Sequence, residues 1–262
     1  MSRIKTWSFS RLTDFEQCRY KAKLKYIDRV PEPPRPLPSG KTEHANERGS
    51  RVHEGAEQYV RGGVELLPEL HRYETHLKSL QQLFKEGKVQ LEEEWAMTQD
   101  WSPAAWASED AWCRMKLDAF VLTSKTHARV IDYKTGRIQG NEVKHTEQGQ
   151  LYQLASFLRY PDLEQITVEF WYIDHGPDHD LVSTYSRIQG TQYFDKFHNR
   201  GVNLTECLEF KPNPNVYSCR WCPYNGNACT FGVTKARAKT KFKPTGAAAR
   251  FMTKEINDTD SV

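Results

Sequence analysis

No stretch of this sequence approaches the ~20 consecutive apolar residues that cross a bilayer, and its start, Met1 to Ser10, lacks the apolar core of a signal peptide. The expectation is a cytoplasmic protein with no membrane partner. A strong charge imbalance is missing too: 37 Lys and Arg stand against 34 Asp and Glu, a net charge of +3, so bulk charge names no partner. Structural disulfides are not expected of the six cysteines, because a reducing cytosol keeps thiols free for metals or for burial. Internal repeats are absent, and low-complexity sequence is confined to a proline connector and a basic tail.

What is present suffices for a folded protein. The 262 residues, 38% hydrophobic and 12% aromatic, can bury a core around a sheet in one large domain. The domain is expected over residues 1–233, followed by a basic, flexible tail over 234–262. Between Lys235 and Lys254 that tail has seven Lys or Arg and no acid, a tract able to neutralise phosphates without reading sequence or simply to stay solvated.

Ser10 can cap a helix carrying Leu12, Phe15, Ala22 and Tyr26 on one stripe, running to about Ile27. Five prolines between Val30 and Gly40 force a connector. A second helix starts near Asn46, with Val52, Ala56 and Val60 on one side. Leu70 to Phe84 form a third, ended by Gly87. Strands are expected at Val89–Met97, Trp112–Leu122, Ala128–Lys134, Gln165–Asp174 and Leu181–Tyr185. Helices are expected at Val143–Leu158 and near Tyr193–His198. This order predicts an α/β sandwich around a mixed sheet.

Candidate chemistry begins at the run Val130 to Gly136, an apolar strand entering a turn. The strand period of two puts Asp132 and Lys134 on one face. Asp118 sits inside the otherwise apolar run Leu117 to Leu122, where an unpaired carboxylate is costly. Phosphodiester hydrolysis supplies a reason for all three. Magnesium or manganese prefers carboxylate oxygens and activates water, and a lysine beside the acids stabilises developing negative charge. Asp-x-Lys alone is common in surface salt bridges. Its company here is Gly49 and His53 in a GxxxH spacing, and Gln148 and Tyr152 one helical turn apart. An imidazole near two acids is either a packed histidine or a metal ligand.

In order, Ser8, Ser10, Cys18 and Tyr20, then Gly49 and His53, Asp118, Asp132 with Lys134, and Gln148 with Tyr152 resemble the RecB-type branch of the PD-(D/E)XK nucleases. The similarity is greatest to the CRISPR-associated exonucleases and to the iron–sulfur nuclease domains of helicase–nuclease complexes, and it spans about Ser8 to Cys229. The resemblance implies a restriction-endonuclease-like core in which His53, Asp118, Asp132 and the Tyr133 carbonyl bind Mg or Mn. It implies that Lys134 serves the attacking water, and that Gln148 and Tyr152 line the site. The family often has a glycine three residues before the acid matching Asp118, where this sequence has Met115.

Cys219, Cys222 and Cys229 form CxxC and a third thiol, with Pro223, Gly226 and two asparagines among them. Zinc and iron–sulfur clusters both accept four cysteines. Spacing alone leaves Cys18 and Cys207 as alternatives for the fourth, and Cys18 also fits a buried position on the first helix. The resemblance favours Cys18 and a 4Fe-4S cluster. Cys113 and Cys207 are read as buried residues.

The function expected is metal-dependent exonuclease cleavage of single-stranded DNA or DNA ends. The alternative is a catalytically silent, metal-clipped DNA-binding or scaffold protein. Recombination or CRISPR adaptation proteins are candidate partners, and oligomer formation is open. Trp95, Trp101, Trp106 and Trp112 are available for base stacking, though core or loop packing explains most of them more simply.

Overall fold

The computed structural model describes residues 3–233, and the basic tail expected over 234–262 lies outside the described residues. In chain order the elements are α1 (Phe9–Gln17), α2 (Arg19–Ala22), α3 (Ala45–Arg61), α4 (Glu74–Lys85), β1 (Val89–Met97), β2 (Pro103–Ala104), β3 (Cys113–Leu122), β4 (His127–Lys134), α5 (Glu142–Arg159), β5 (Gln165–Tyr172), β6 (Leu181–Ser186), α6 (Arg187–Thr191), α7 (Phe194–Thr205) and α8 (Val216–Cys219). No helix among the described residues is long and apolar enough to cross a membrane.

The described chain divides into two compact units, one of residues up to Thr13 and Pro34–Leu208, the other built from Asp14–Pro33 and the residues from Glu209 on. The first unit carries a six-stranded mixed sheet, order β2-β1-β3-β4-β5-β6. All its pairs are antiparallel except β4 with β5. That parallel pair is joined through α5, as parallel strands require a long crossover. The expected α/β sandwich around a mixed sheet is the observed fold.

One face of the sheet is covered by α3 and α4. Val52, Ala56 and Val60 of α3 and Leu77 and Leu80 of α4 pack with Leu91, Ala119, Val121, Ile131, Tyr133 and Trp171. Burial of that stripe, rather than propensity, holds α3 in place. The other face meets α5, which buries Leu151, Tyr152, Leu154 and Ala155. At Gly149 the helix comes so close that an added Cβ would lie 3.2 Å from the Phe170 ring and 3.3 Å from Val168.

The helix expected from Ser10 to Ile27 is broken. Ser8 rather than Ser10 caps α1, accepting from the Arg11 amide at 3.3 Å. At Cys18 the backbone turns extended (φ −163°, ψ 110°) before α2 starts, and Lys23–Ile27 continue as a wider π turn. Cys18 therefore does not continue the apolar stripe of Phe15 and Ala22, and it is half-buried. Among the tryptophans, Trp95, Trp101 and Trp112 are buried and unavailable for stacking on bases. Trp106 is half-buried.

Candidate active site and cysteine site

The sheet opens where the acids meet. Pairing of β3 with β4 ends at Ala119 and Ile131, while β4 continues to pair with β5 as far as Lys134 and Tyr172. Residues 132–134 thus lose one strand neighbour. A buried amide still needs a partner, and the Tyr133 N–H finds the Asp118 carboxylate, Oδ2, at 2.6 Å. The other Asp118 oxygen lies 3.0 Å from Nδ1 of His53, which α3 presents between its buried Val52 and Ala56. Gly49, one turn earlier on α3, lets the helix approach the turn after Lys134: a Cβ there would sit 3.3 Å from Thr135 Oγ1.

Asp132 is 4% exposed. Its Oδ1 accepts from the Tyr152 hydroxyl at 2.8 Å and lies 3.4 Å from Gln148 Nε2. Its Oδ2 faces Lys134 Nζ at 2.5 Å but accepts no hydrogen bond, so the contact is an ion pair of poor hydrogen-bond geometry. Lys134 Nζ donates instead to Gln148 Oε1 at 3.1 Å, and Gln148 Nε2 donates to the Tyr152 oxygen at 2.6 Å. Gln148 and Tyr152, one turn apart on α5, therefore brace both Asp132 and Lys134. His53, Asp118, Asp132, Lys134, Gln148 and Tyr152, expected together from the sequence, are adjacent in this unit.

Burial, then the charge of Asp132, pushes the Asp118 carboxyl up, against the hydrogen bonds from His53 and the Tyr133 amide. Burial opposes a charged His53 ring, yet the hydrogen bond and charge of Asp118 raise it overall. The Tyr152 phenol is driven well up by burial and by the two acids, and it stays a donor.

The sequence reading missed Glu92. Its carboxylate, an Asp118 oxygen and a His53 nitrogen all lie within 4.8 Å of one another, a group able to hold a metal ion. Leu91 pairs with Ala119 and Glu93 with Leu117, which leaves Glu92 opposite Asp118 on β3. It also has φ +53°, a conformation uncommon for a non-glycine residue and a form of strain that collects at functional sites. Lys116 Nζ holds it at 2.6 Å.

Two hollows flank the acids. One of about 450 Å³ is lined by His53, Glu54, Glu57, Glu92 and Asp118. The other, about 440 Å³, is lined by Ser8, Ser10, Arg114, Lys116, Lys144 and Gln148, among others. Arg114 lies over the Trp106 ring, 5.2 Å from its centroid, and its Nε is buried with no hydrogen-bond partner. A carboxylate-rich hollow beside a cationic one suits a cation and a phosphodiester, respectively.

In the second unit, tight turns gather the cysteines. The Cys222 amide donates to the Cys219 carbonyl, Cys229 to Tyr224 and Gly226 to Cys229, with Gly226 at φ +76°. Cys18, Cys219, Cys222 and Cys229 all line one pocket. Burial pushes the Cys222 thiol up, and nearby Cys229 and Cys18 add to this, against the Tyr224 amide and Lys21. Cys207 is not among the residues lining that pocket. It is buried in the sheet-bearing unit, as is Cys113. None of the six cysteines is in a disulfide.

The sequence model of the PD-(D/E)XK nuclease superfamily matches residues 6–121 and 115–229. The crystal structure of SSO0001 is similar over 89% of this chain and 90% of its own, at 15% identity and TM-score 0.46. An alkaline exonuclease from Laribacter hongkongensis is similar over 78% of this chain and 93% of its own, at 12% identity and TM-score 0.27. That exonuclease has also been solved in complex with dAMP, at TM-score 0.24 and 11% identity. No curated protein matches this chain.

Proposed function

This chain belongs to the PD-(D/E)XK nuclease superfamily, and from that premise we propose that it is a metal-dependent DNA exonuclease acting on single strands or on ends. The reading treats residues 1–233 as one nuclease domain of the RecB type. One observation carries it: two buried acids, Asp118 and Asp132, stand with His53 and Glu92 around the point where the sheet opens, and Asp132 Oδ2 accepts no hydrogen bond.

Hard oxygen donors with buried, mutually repelling charge fit Mg or Mn. His53, Glu92, Asp118, Asp132 and the Tyr133 carbonyl would hold the ion. When bound, such an ion polarises the phosphoryl group and lowers the pKa of the attacking water.

The rest of the work falls to the protein. Lys134, held between Asp132 and Gln148, donates toward the incoming water and the charge developing on the phosphoryl oxygens. Tyr152 fixes the Asp132 carboxylate through Oδ1. Arg114, Lys116 and Lys144 pair with backbone phosphates in the adjoining hollow.

Cys18, Cys219, Cys222 and Cys229 would hold a 4Fe-4S cluster with a structural role. Four thiolates satisfy such a site without an open position for substrate. Brown colour with bound iron, lost in Cys222→Ala and kept in Cys207→Ala, would support this assignment, and a colourless zinc protein would refute it. Service to recombination or CRISPR adaptation proteins rests on the sequence resemblance alone.

The test is digestion of end-labelled single- and double-stranded DNA with manganese or magnesium. Cleavage by the native protein, abolished in Asp132→Ala and Lys134→Ala, is the expected result. No cleavage of any substrate by a folded, metal-loaded protein would replace this reading with that of a silent DNA-binding protein.

A further inference from the structure

The two units differ in charge and in what they expose. Residues 1–13 and 34–208 carry 23 Lys and Arg against 26 Asp and Glu. Residues 14–33 and 209–233 carry seven against five, and the next segment of sequence, 234–262, adds seven against three. A polyanion is therefore attracted to the cysteine-bearing part of the chain more than to the acidic, sheet-bearing part.

The same part exposes aromatic rings. Among the described residues, the large hydrophobic side chains left exposed in the sheet-bearing unit are Leu37, Val64, Val143, Val182, Ile188 and Leu208, all aliphatic. Those exposed in the cysteine-bearing unit are Tyr217, Trp221 and Phe231. Tyr217 is 87% and Trp221 71% exposed, Tyr217 within the short helix α8 and Trp221 in the turn that follows it. Arg220 lies over the Trp221 ring, 4.7 Å from its centroid, and among the described residues Trp221 stays 71% exposed beside it. Keeping two large rings in water forgoes the gain from burying them, and a cation beside exposed rings is how sequence-tolerant single-strand binders hold bases.

We propose that Tyr217, Arg220 and Trp221 form a stacking platform for the bases of single-stranded DNA. The proposal rests on the nuclease reading for its substrate class and adds a preference for unpaired strands, because a base inside a duplex has no open face to stack.

The test uses the full chain in EDTA, so that binding is read without cleavage. The probes are a fluorescent oligo-dT strand and a blunt hairpin duplex. Trp221→Ala is expected to weaken oligo-dT binding on the order of tenfold, Tyr217→Ala by less, with hairpin affinity changed by less than about twofold. Trp221→Phe should recover most of the loss, and Arg220→Gln should lower the salt slope of oligo-dT binding by about 0.7.

Unchanged oligo-dT affinity in both alanine variants would overturn the platform, as would an equal loss on the hairpin or a loss only in binding anionic vesicles. If the native protein cuts DNA but Trp221→Ala binds oligo-dT normally, the platform fails and the nuclease reading stands. If Trp221→Ala loses oligo-dT binding but no metal supports cleavage, the nuclease reading fails and the platform stands.

Discussion

The two candidate sites are built in opposite ways. The carboxylate site sits in a sheet with helices on both faces, and it holds groups that work against that fold: two buried acids, a residue at positive φ and an oxygen without a hydrogen bond. The cysteine site is assembled from turns in a unit whose buried apolar residues, among the described residues, are few, chiefly Phe15, Ala22, Leu24 and Tyr224. Small units with little core are usually held by a cross-link or a metal. On the proposed reading the first site costs its unit stability and the second, once its cluster is bound, supplies it. Substitutions at the two places should therefore move stability in opposite directions.

The largest effect is expected at Asp118. Asp118→Asn should cut cleavage by about 10²–10³-fold, the scale for losing one electrostatic contact in an active site. In metal-free buffer its thermal midpoint should match or exceed the native value, because it removes one of two repelling buried charges while an amide oxygen can still accept from the Tyr133 N–H. Magnesium should raise the midpoint of the native protein and not of the variant. A midpoint several degrees below native, without metal, would sink the idea that this site destabilises its unit.

Cys222→Ala should do the reverse, lowering stability by on the order of 2–5 kcal/mol, as when a cross-link leaves a small domain. Limited proteolysis should then cut within residues 14–33 or 209–233 before the sheet. If the first cuts fall in the strands, or if Cys113→Ala costs as much, the cysteine site is not what holds its unit.

Much of the sheet-bearing unit was legible in the sequence, because its signals are local. Alternation marked β1 at Val89–Met97, the observed bounds, and the apolar run at Val130 led to Asp132 and Lys134. Other features were settled by tertiary contact. The contact of His53 with Asp118 joins residues 65 apart. Glu92 lies in the run Glu92–Glu94, which reads as a solvated face, and only strand register sets it against Asp118. The helix break at Cys18 left no mark either, since nothing in Gln17–Arg19 disfavours a continued helix.

A smaller effect, on pH dependence, tests whether the strain extends beyond the acids. Burial, then the charge of Lys134, lowers the His145 pKa to about 4, and its Nδ1 lies 2.7 Å from the Tyr172 hydroxyl. The unfolded chain binds this proton near pH 6.5 and the folded protein resists it until about pH 4. Stability should thus fall as pH drops through that window and level off below it. Denaturant midpoints at pH 7 and 4.5 should show a loss of about 1–2 kcal/mol in the native protein, after discounting for solvent screening. In His145→Gln, which keeps an acceptor for Tyr172, that loss should be absent. An equal loss in both would assign the pH dependence to other groups.

The smallest stability effect, and the most specific, belongs to Glu92. A glutamate at φ +53° stores strain that glycine would not feel, while glycine's freedom in the unfolded chain offsets part of the relief. Glu92→Gly also releases Lys116 from its ion pair, a partly exposed contact of small value. The net expectation is a gain of a few tenths to about 1 kcal/mol in metal-free buffer. Because the carboxylate belongs to the group able to hold a metal ion, the manganese concentration for half-maximal cleavage should rise at the same time. A variant both less stable and unchanged in metal requirement would make Glu92 an ordinary strand residue. One that is more stable and needs more metal would show the strain at this position to be kept for the site.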